Sequence, residues 1–208
     1  MRNLALSTMK AWGRKTEMLV GRYSAFLDAN VLHPAFLRAS LLWFADARLL
    51  RPVWSKDVLK EWRRSVQRRH SDIDDAKLDA LQATFVDQFP DAEVSEYEPF
   101  IEAIQLPDKD DRHVLAAAIV GRCNGIITSN LKHFPPDALD KFGIEAVHPD
   151  DFIVNIIDLD SNKALGACKR HREAMTKSAP TVEEFLERFK IAGLIQAHHR
   201  LCQNKELL

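Results

Sequence analysis

LPDKDDRHVLAAAIVGRCNGIITSNLKHFP, residues 106–135, contains the change of period that decides the fold. Pro107 and the acids Asp108, Asp110 and Asp111 form a polar lead-in of helix-starting residues. Val114, Leu115, Ala118 and Ile119 then recur at helical spacing among small side chains, so this helix can lie closely on a sheet. Gly121 and Gly125 end it, and Ile126-Ile127-Thr128 is apolar and β-branched, the signature of a buried strand.

The same alternation continues outward in both directions. Upstream, YSAFLD at residues 23–28 is a short apolar run ending in an acid, followed by a helix-length apolar segment over residues 35–50. Residues 49–54 make a second short strand. Ser55 then stands as N-cap before Val58, Leu59, Trp62 and Val66, a helical stripe with arginines on its other side. A third helix over residues 74–88 stops before Pro90, and residues 97–104 form a short helix. Downstream, Pro135-Pro136-Asp137 start a short helix that Gly143 ends, and residues 144–147 give a further strand. Strands alternating with helices predict an α/β fold, a mainly parallel sheet with helices on both faces. Beyond Phe152 the pattern is helical only: a basic helix over residues 164–175, one from Pro180 through Phe189, and a last one from Gly193 toward Leu208. The expected organisation is an N-terminal extension over residues 1–22, an α/β domain over residues 23–155, and a helical C-terminal extension over residues 156–208.

Composition narrows the class. With 46% hydrophobic and 28% charged residues in 208, and Lys+Arg 29 against Asp+Glu 30, the chain is an ordinary globular protein rather than a disordered or collagenous one. No apolar run approaches the roughly 18 residues of a membrane span, and the first twenty residues lack the pattern of a secretory signal, so a cytoplasmic location is expected. Cys123, Cys168 and Cys202 are far apart with no C-x-x-C spacing, which suggests reduced, structural thiols. The near-neutral net charge conceals a basic stretch. Arg48, Arg51, Lys56, Lys60, Arg63, Arg64, Arg68 and Arg69 are accompanied between them only by Asp57 and Glu61.

In open parallel sheets, ligands bind at the carboxyl ends of the strands. Asp28, Glu61, Asp111 and Asn130 all fall at or near such ends. Three carboxylates converging there would hold a hard cation such as Mg²⁺ or Mn²⁺, which takes oxygen ligands, and would suit phosphodiester hydrolysis without a nucleophilic side chain. Each acid alone has a plainer reading: Asp28 and Asp111 as helix N-caps, Glu61 as the exposed partner of a neighbouring Lys or Arg. Likewise, His33, His113 and His133 read as ordinary core or surface histidines. No glycine-rich phosphate loop is present.

FLDANVLHPAF (residues 26–36), VLKEW (58–62), the 106–135 segment and FGIEAVHPDDF (142–152), in this order and at these separations, resemble a PIN-domain ribonuclease of the bacterial VapC-like toxin type, over residues 23–155. The resemblance implies a PIN-like, Rossmann-like three-layer α/β/α fold and a Mg²⁺- or Mn²⁺-dependent endoribonuclease acting on cellular RNA. It also implies restraint by a cognate antitoxin protein and a homodimer. Carried over, the catalytic and metal-binding acids are Asp28, Glu61 and Asp111, and substrate contacts are expected from Asn30, Thr128 and Asn130. The basic helix that carries Glu61 fits an RNA partner by its own composition, with Arg63, Arg64, Arg68 and Arg69 to meet phosphates while Glu61 faces the metal. The chain departs from the family at the turn Thr128-Ser129-Asn130, where an Asp is usual. Asn130 brings no charge, which favours one tightly held ion over two. Asp108 or Asp110 is a substitute for the missing charge. A phosphatase of the haloacid-dehalogenase-like type also begins with an Asp after its first strand, but Asn30 stands where its second acid is required. The remaining alternative is a non-catalytic PIN-like module that binds RNA or protein. The C-terminal helices are expected to pack on the core and to help bind the antitoxin or a second subunit.

Overall fold

The apolar run at the head of the chain becomes the centre of a sheet. The computed structural model describes residues 23–208, and the N-terminal extension expected over residues 1–22 lies outside the described residues. Strand β1 (Ser24–Leu27) is buried along its whole length, as a strand covered on both faces must be. β2 (Arg51–Ser55) and β4 (Gly125–Ile127) flank it, β3 (Glu93–Val94) and β5 (Glu145–Val147) form the edges, and the order is β3-β2-β1-β4-β5. All pairings are parallel; Phe26 lies beside Val53 on one side and Ile126 on the other. Pro52 is tolerated inside β2 because its missing N–H falls on the β3 side. There β3 reaches only Trp54 and Ser55.

The helices follow the expected caps. After β1 the chain makes a one-turn helix α1 (Ala29–Leu32), breaks at Pro34, and continues as α2 (Ala35–Asp46). The sequence predicted α2 running on to residue 50. It stops at Asp46 because Arg48 adopts a left-handed conformation, φ 63°, that turns Leu49 and Leu50 toward β2. Ser55 caps α3 (Lys56–Arg69), its Oγ accepting from the Val58 N–H at 3.2 Å, and Val58, Leu59, Trp62 and Val66 are the buried stripe. Asp74 caps α4 (Asp75–Val86) through the Lys77 N–H. Residues 97–104 give a 3₁₀ helix, Glu98–Ala103. In α5 (Arg112–Val120) the run Val114–Ala118 is entirely buried, and a Cβ built on Gly121 would stand 3.0 Å from Val53 of β2. That closeness is what the small residues of this helix permit. Gly143, at φ 65°, ends the turn after α6 (Pro136–Leu139) and leads into β5.

The C-terminal helices form one hydrophobic core with the sheet. α7 (Pro149–Leu159) buries Phe152, Ile153, Ile156 and Ile157, so the boundary expected at residue 155 falls within a single helix. α8 (Ser161–Ala174) lies on α2. α9 (Val182–Ile191) starts with a capping box between Thr181 and Glu184. Phe36 of α2 stacks against His171 of α8 and meets Phe185 and Phe189 of α9 edge-on, at centroid distances of 4.9 to 5.6 Å. His171, within the helix read as basic over residues 164–175, is thus a core residue. Burial and the Arg188 charge push its pKa down to about 3. Asp150 accepts from the Gln196 and Ala197 N–H groups at 2.9 Å, fixing the start of α10 (Ile195–Cys202) to α7. Arg200 adds a two-pronged pair to Asp158.

Candidate active site at the carboxyl edge of the sheet

Asp28 is the residue immediately after β1, at the N-cap position of α1, yet its side chain makes no capping hydrogen bond. Instead, Thr128 Oγ donates to its carboxylate at 2.7 Å and the Asn30 amide donates to the same oxygen. Asn30 also donates to Thr128 Oγ at 2.9 Å and accepts from the Ser129 N–H at 3.0 Å. The Asn130 N–H reaches Thr128 Oγ at 3.1 Å. The ends of β1 and β4 are stitched together around one buried carboxylate. Asn30 and Thr128, expected to touch substrate, are therefore committed to holding Asp28, and Thr128 is wholly buried. Asn130 itself remains exposed at the rim.

The other two acids behave alike. Asp111 occupies the N-cap position of α5 without capping it, and pairs with His133 Nδ1 at 2.6 Å. Glu61, one and a half turns into α3, pairs among the described residues not with a Lys or Arg but with the Nε2 of His113 at 2.9 Å. All three acids thus escape the plainer readings their positions allowed. His113 and His133, which the sequence reading took as ordinary core or surface histidines, are the partners of two of the candidate acids. Their only sequence signal is proximity: His113 two residues after Asp111, and His133 three after Asn130.

The electrostatics of the cluster are those of crowded negative charge. Burial pushes the Asp28 carboxyl up to about 6; the Thr128 hydrogen bond opposes this, while the charges of Asp111 and Glu61 add to it. Asp111 is likewise raised by burial and by Asp108 and Glu61, against the pull of His133. For His113, burial works against the charged form, but Glu61, Asp57 and Asp28 win and raise its pKa. Among the described residues, the group of three metal-ligating side chains whose donor atoms lie within 4.8 Å of one another is Asp108, Asp111 and His133. Asp28 and Glu61 border this group and couple to it rather than completing it at that distance. Asp108, held by its hydrogen bond to the Asp110 N–H, brings the charge that Asn130 lacks.

Arg63 and Arg64, expected on substrate, part company. Arg63 is bound to Asp79 at 2.5 Å and lies 3.7 Å from Asp75, tying α3 to α4. Arg64 is exposed and lines an open groove of about 570 Å³ with Glu61, Gln67 and Arg68. Cys123 and Cys168 are buried free thiols pushed up to about 12 by burial, away from the acids.

The family model described as PIN domain matches residues 24–132, more than half of the chain and all four of the acids just described. The chain belongs to the PIN-domain family. A second family model, VapC50 C-terminal domain, matches residues 149–203, the span of α7 to α10. A curated protein of Mycobacterium tuberculosis (strain ATCC 25618 / H37Rv), named "Putative ribonuclease VapC50", is 59% identical over 49 residues, 24% of this chain and 29% of that protein. The matched stretch thus spans less than a third of the relative's length. No solved structure gives a significant match to the chain. Residues 149–203, similar to the VapC50 C-terminal domain, share one hydrophobic core with the PIN domain.

Proposed function

We propose that this PIN-domain protein is a Mg²⁺- or Mn²⁺-dependent endoribonuclease that cuts cellular RNA, acts as the toxin of a toxin–antitoxin pair, and pairs with a second copy and with a cognate antitoxin in the cytoplasm. The observation that carries the reading is that Asp28 and Asp111 occupy helix-capping positions and withhold their side chains from the caps. Asp28 is instead held by Thr128 and Asn30 and Asp111 by His133, while the Asp111 charge raises the Asp28 pKa and the Glu61 charge raises both. Polar groups are spent this way where a cation relieves the repulsion.

The donor chemistry fits a divalent ion: carboxylates from Asp111 and Asp108 and one imidazole from His133, with the Asp28 charge beside them, a mixture that suits Mn²⁺ as well as Mg²⁺. When bound, such an ion neutralises phosphate charge and lowers the pKa of an attacking water. The chain's own residues do the rest. Thr128 and Asn30 fix the Asp28 carboxylate, so the site is built before substrate arrives. His113 Nε2 shares a proton with Glu61 Oε1, and Glu61, 40% exposed, faces the groove, where it can accept a proton from water beside a phosphodiester.

Purified full-length protein incubated with total RNA tests the reading: cleavage with Mn²⁺ or Mg²⁺, none in EDTA, none by Asp28→Asn, and no phosphate released from small monoesters. Release of phosphate without RNA cleavage would instead support a phosphatase. RNA binding without cleavage under any metal condition would support the non-catalytic module.

A further inference from the structure

The last turn of α3 carries Arg68 and Arg69, followed by His70, all exposed and, among the described residues, without a carboxylate in ion-pair distance. They face the end of α1. His33 there has a buried Nδ1 that finds no hydrogen-bond partner, and its pKa is lowered by burial and by the charges of Arg69, Arg38, His70 and Arg68. Arg38 is 4% exposed and likewise has no carboxylate. Its guanidinium donates to the Leu32 carbonyl at 2.5 Å and lies over the rings of Trp62 and Phe85, 5.4 and 5.6 Å from their centroids.

A helix C-terminus explains arginines in its own last turn, which complement the negative end of the dipole. It does not explain a buried guanidinium behind them with no carboxylate among the described residues, or a histidine held among three arginines. Burying an unpaired charge is costly, and here the cation–π contacts and one carbonyl offset the cost without neutralising it. Arg68 lines the same open groove as Glu61, with Arg64 and Gln67 between them on the helix. From Glu61 to Arg68 is seven residues, roughly 10 Å along the helix.

Resting on the nuclease reading above, we propose that His33, Arg68 and Arg69, backed by buried Arg38, form a phosphate-holding subsite that grips the RNA strand about 10 Å along α3 from Glu61. Arg64 lies between the two, while Arg63, spent on Asp79, takes no part. Acids then hold the cation at one end of the groove and arginines hold the backbone at the other.

The test is binding of a fluorescent single-stranded RNA oligonucleotide to the full chain in EDTA, between 50 and 200 mM salt, for wild type, the double variant Arg68→Gln/Arg69→Gln and the control Arg63→Gln, with thermal melts confirming that each is folded. Loss of two phosphate contacts should reduce the slope of log K against log salt by about 1.4 in the double variant, and Arg63→Gln should keep the wild-type slope. An unchanged slope in the folded double variant overturns the subsite. If wild type cuts RNA with metal and the slope is nonetheless unchanged, the subsite alone falls. If wild type neither binds nor cuts RNA, the nuclease reading falls and the subsite with it.

Discussion

Replacing Asp28 with Asn should make the metal-free protein more stable at neutral pH, the opposite of what removing a buried, hydrogen-bonded group ordinarily does. Burial holds the Asp28 carboxyl at about 6 in the folded protein against an ordinary value of 3.8. Between those values the folded protein retains a proton that the unfolded chain has released. Its contribution to stability is therefore fully present below about pH 4 and is lost as pH rises through 6. A shift of about two units corresponds to about 3 kcal/mol. For a chain of this size that is roughly 6–12 °C in Tm. An Asn carbonyl can still accept from Thr128 and Asn30, so the local hydrogen bonds survive the substitution. Denaturant unfolding in EDTA at pH 4 to 8 reads the difference: the two proteins should be nearly equal at pH 4, and Asp28→Asn should lead by about 3 kcal/mol at pH 8. Adding Mn²⁺ should then stabilise wild type, by about 2.7 kcal/mol at one hundred times its Kd, and the variant much less. A gap that does not change with pH, or a variant less stable than wild type at pH 8, refutes the reasoning.

Three other perturbations follow from the same geometry. Thr128→Val removes the hydroxyl that donates to Asp28 and accepts from Asn30 and the Asn130 N–H. It should cost about 1–3 kcal/mol by urea unfolding and slow RNA cleavage at fixed metal concentration. His171→Phe removes a group whose pKa is about 3 when folded and 6.5 in the unfolded chain. Wild type loses stability as pH falls below 6.5, by about 3 kcal/mol at pH 4, and the variant's acid limb should be flatter by that amount in unfolding curves from pH 7 to 4. Gly125→Ala places a Cβ against the Tyr23 hydroxyl and 3.1 Å from the Glu145 backbone oxygen, so it should break the 2.7 Å Tyr23–Glu145 hydrogen bond and lower Tm by several degrees.

The alternation of strand and helix was legible because the central strands are short apolar runs and several helices begin on a capping residue, as at Ser55 and Asp74. β3 escaped notice because a two-residue edge strand, Glu93–Val94, has neither length nor apolar content to show a period. α1 was missed because four residues before a proline cannot display a helical stripe. The acids Asp28, Glu61 and Asp111 could be picked from their places at strand ends. What those places could not reveal was where each side chain turns, whether into a cap or into the pocket. Nor could spacing show that His113 and His133 partner two of them, since those contacts join residues 52 and 22 positions apart. The arginines divide for the same reason: Asp79, sixteen residues beyond Arg63, is brought to it only by the packing of α4 on α3.

The most direct measurement of the central claim is calorimetric titration of Mn²⁺ into the metal-free full chain, wild type beside Asp111→Asn. Asp111 stands both in the tight group with Asp108 and His133 and in the field of Asp28 and Glu61. The account predicts one ion bound per chain by wild type and at least a tenfold loss of affinity, about 1.4 kcal/mol, in the variant. Equal binding by both proteins, or no binding by wild type, would contradict it.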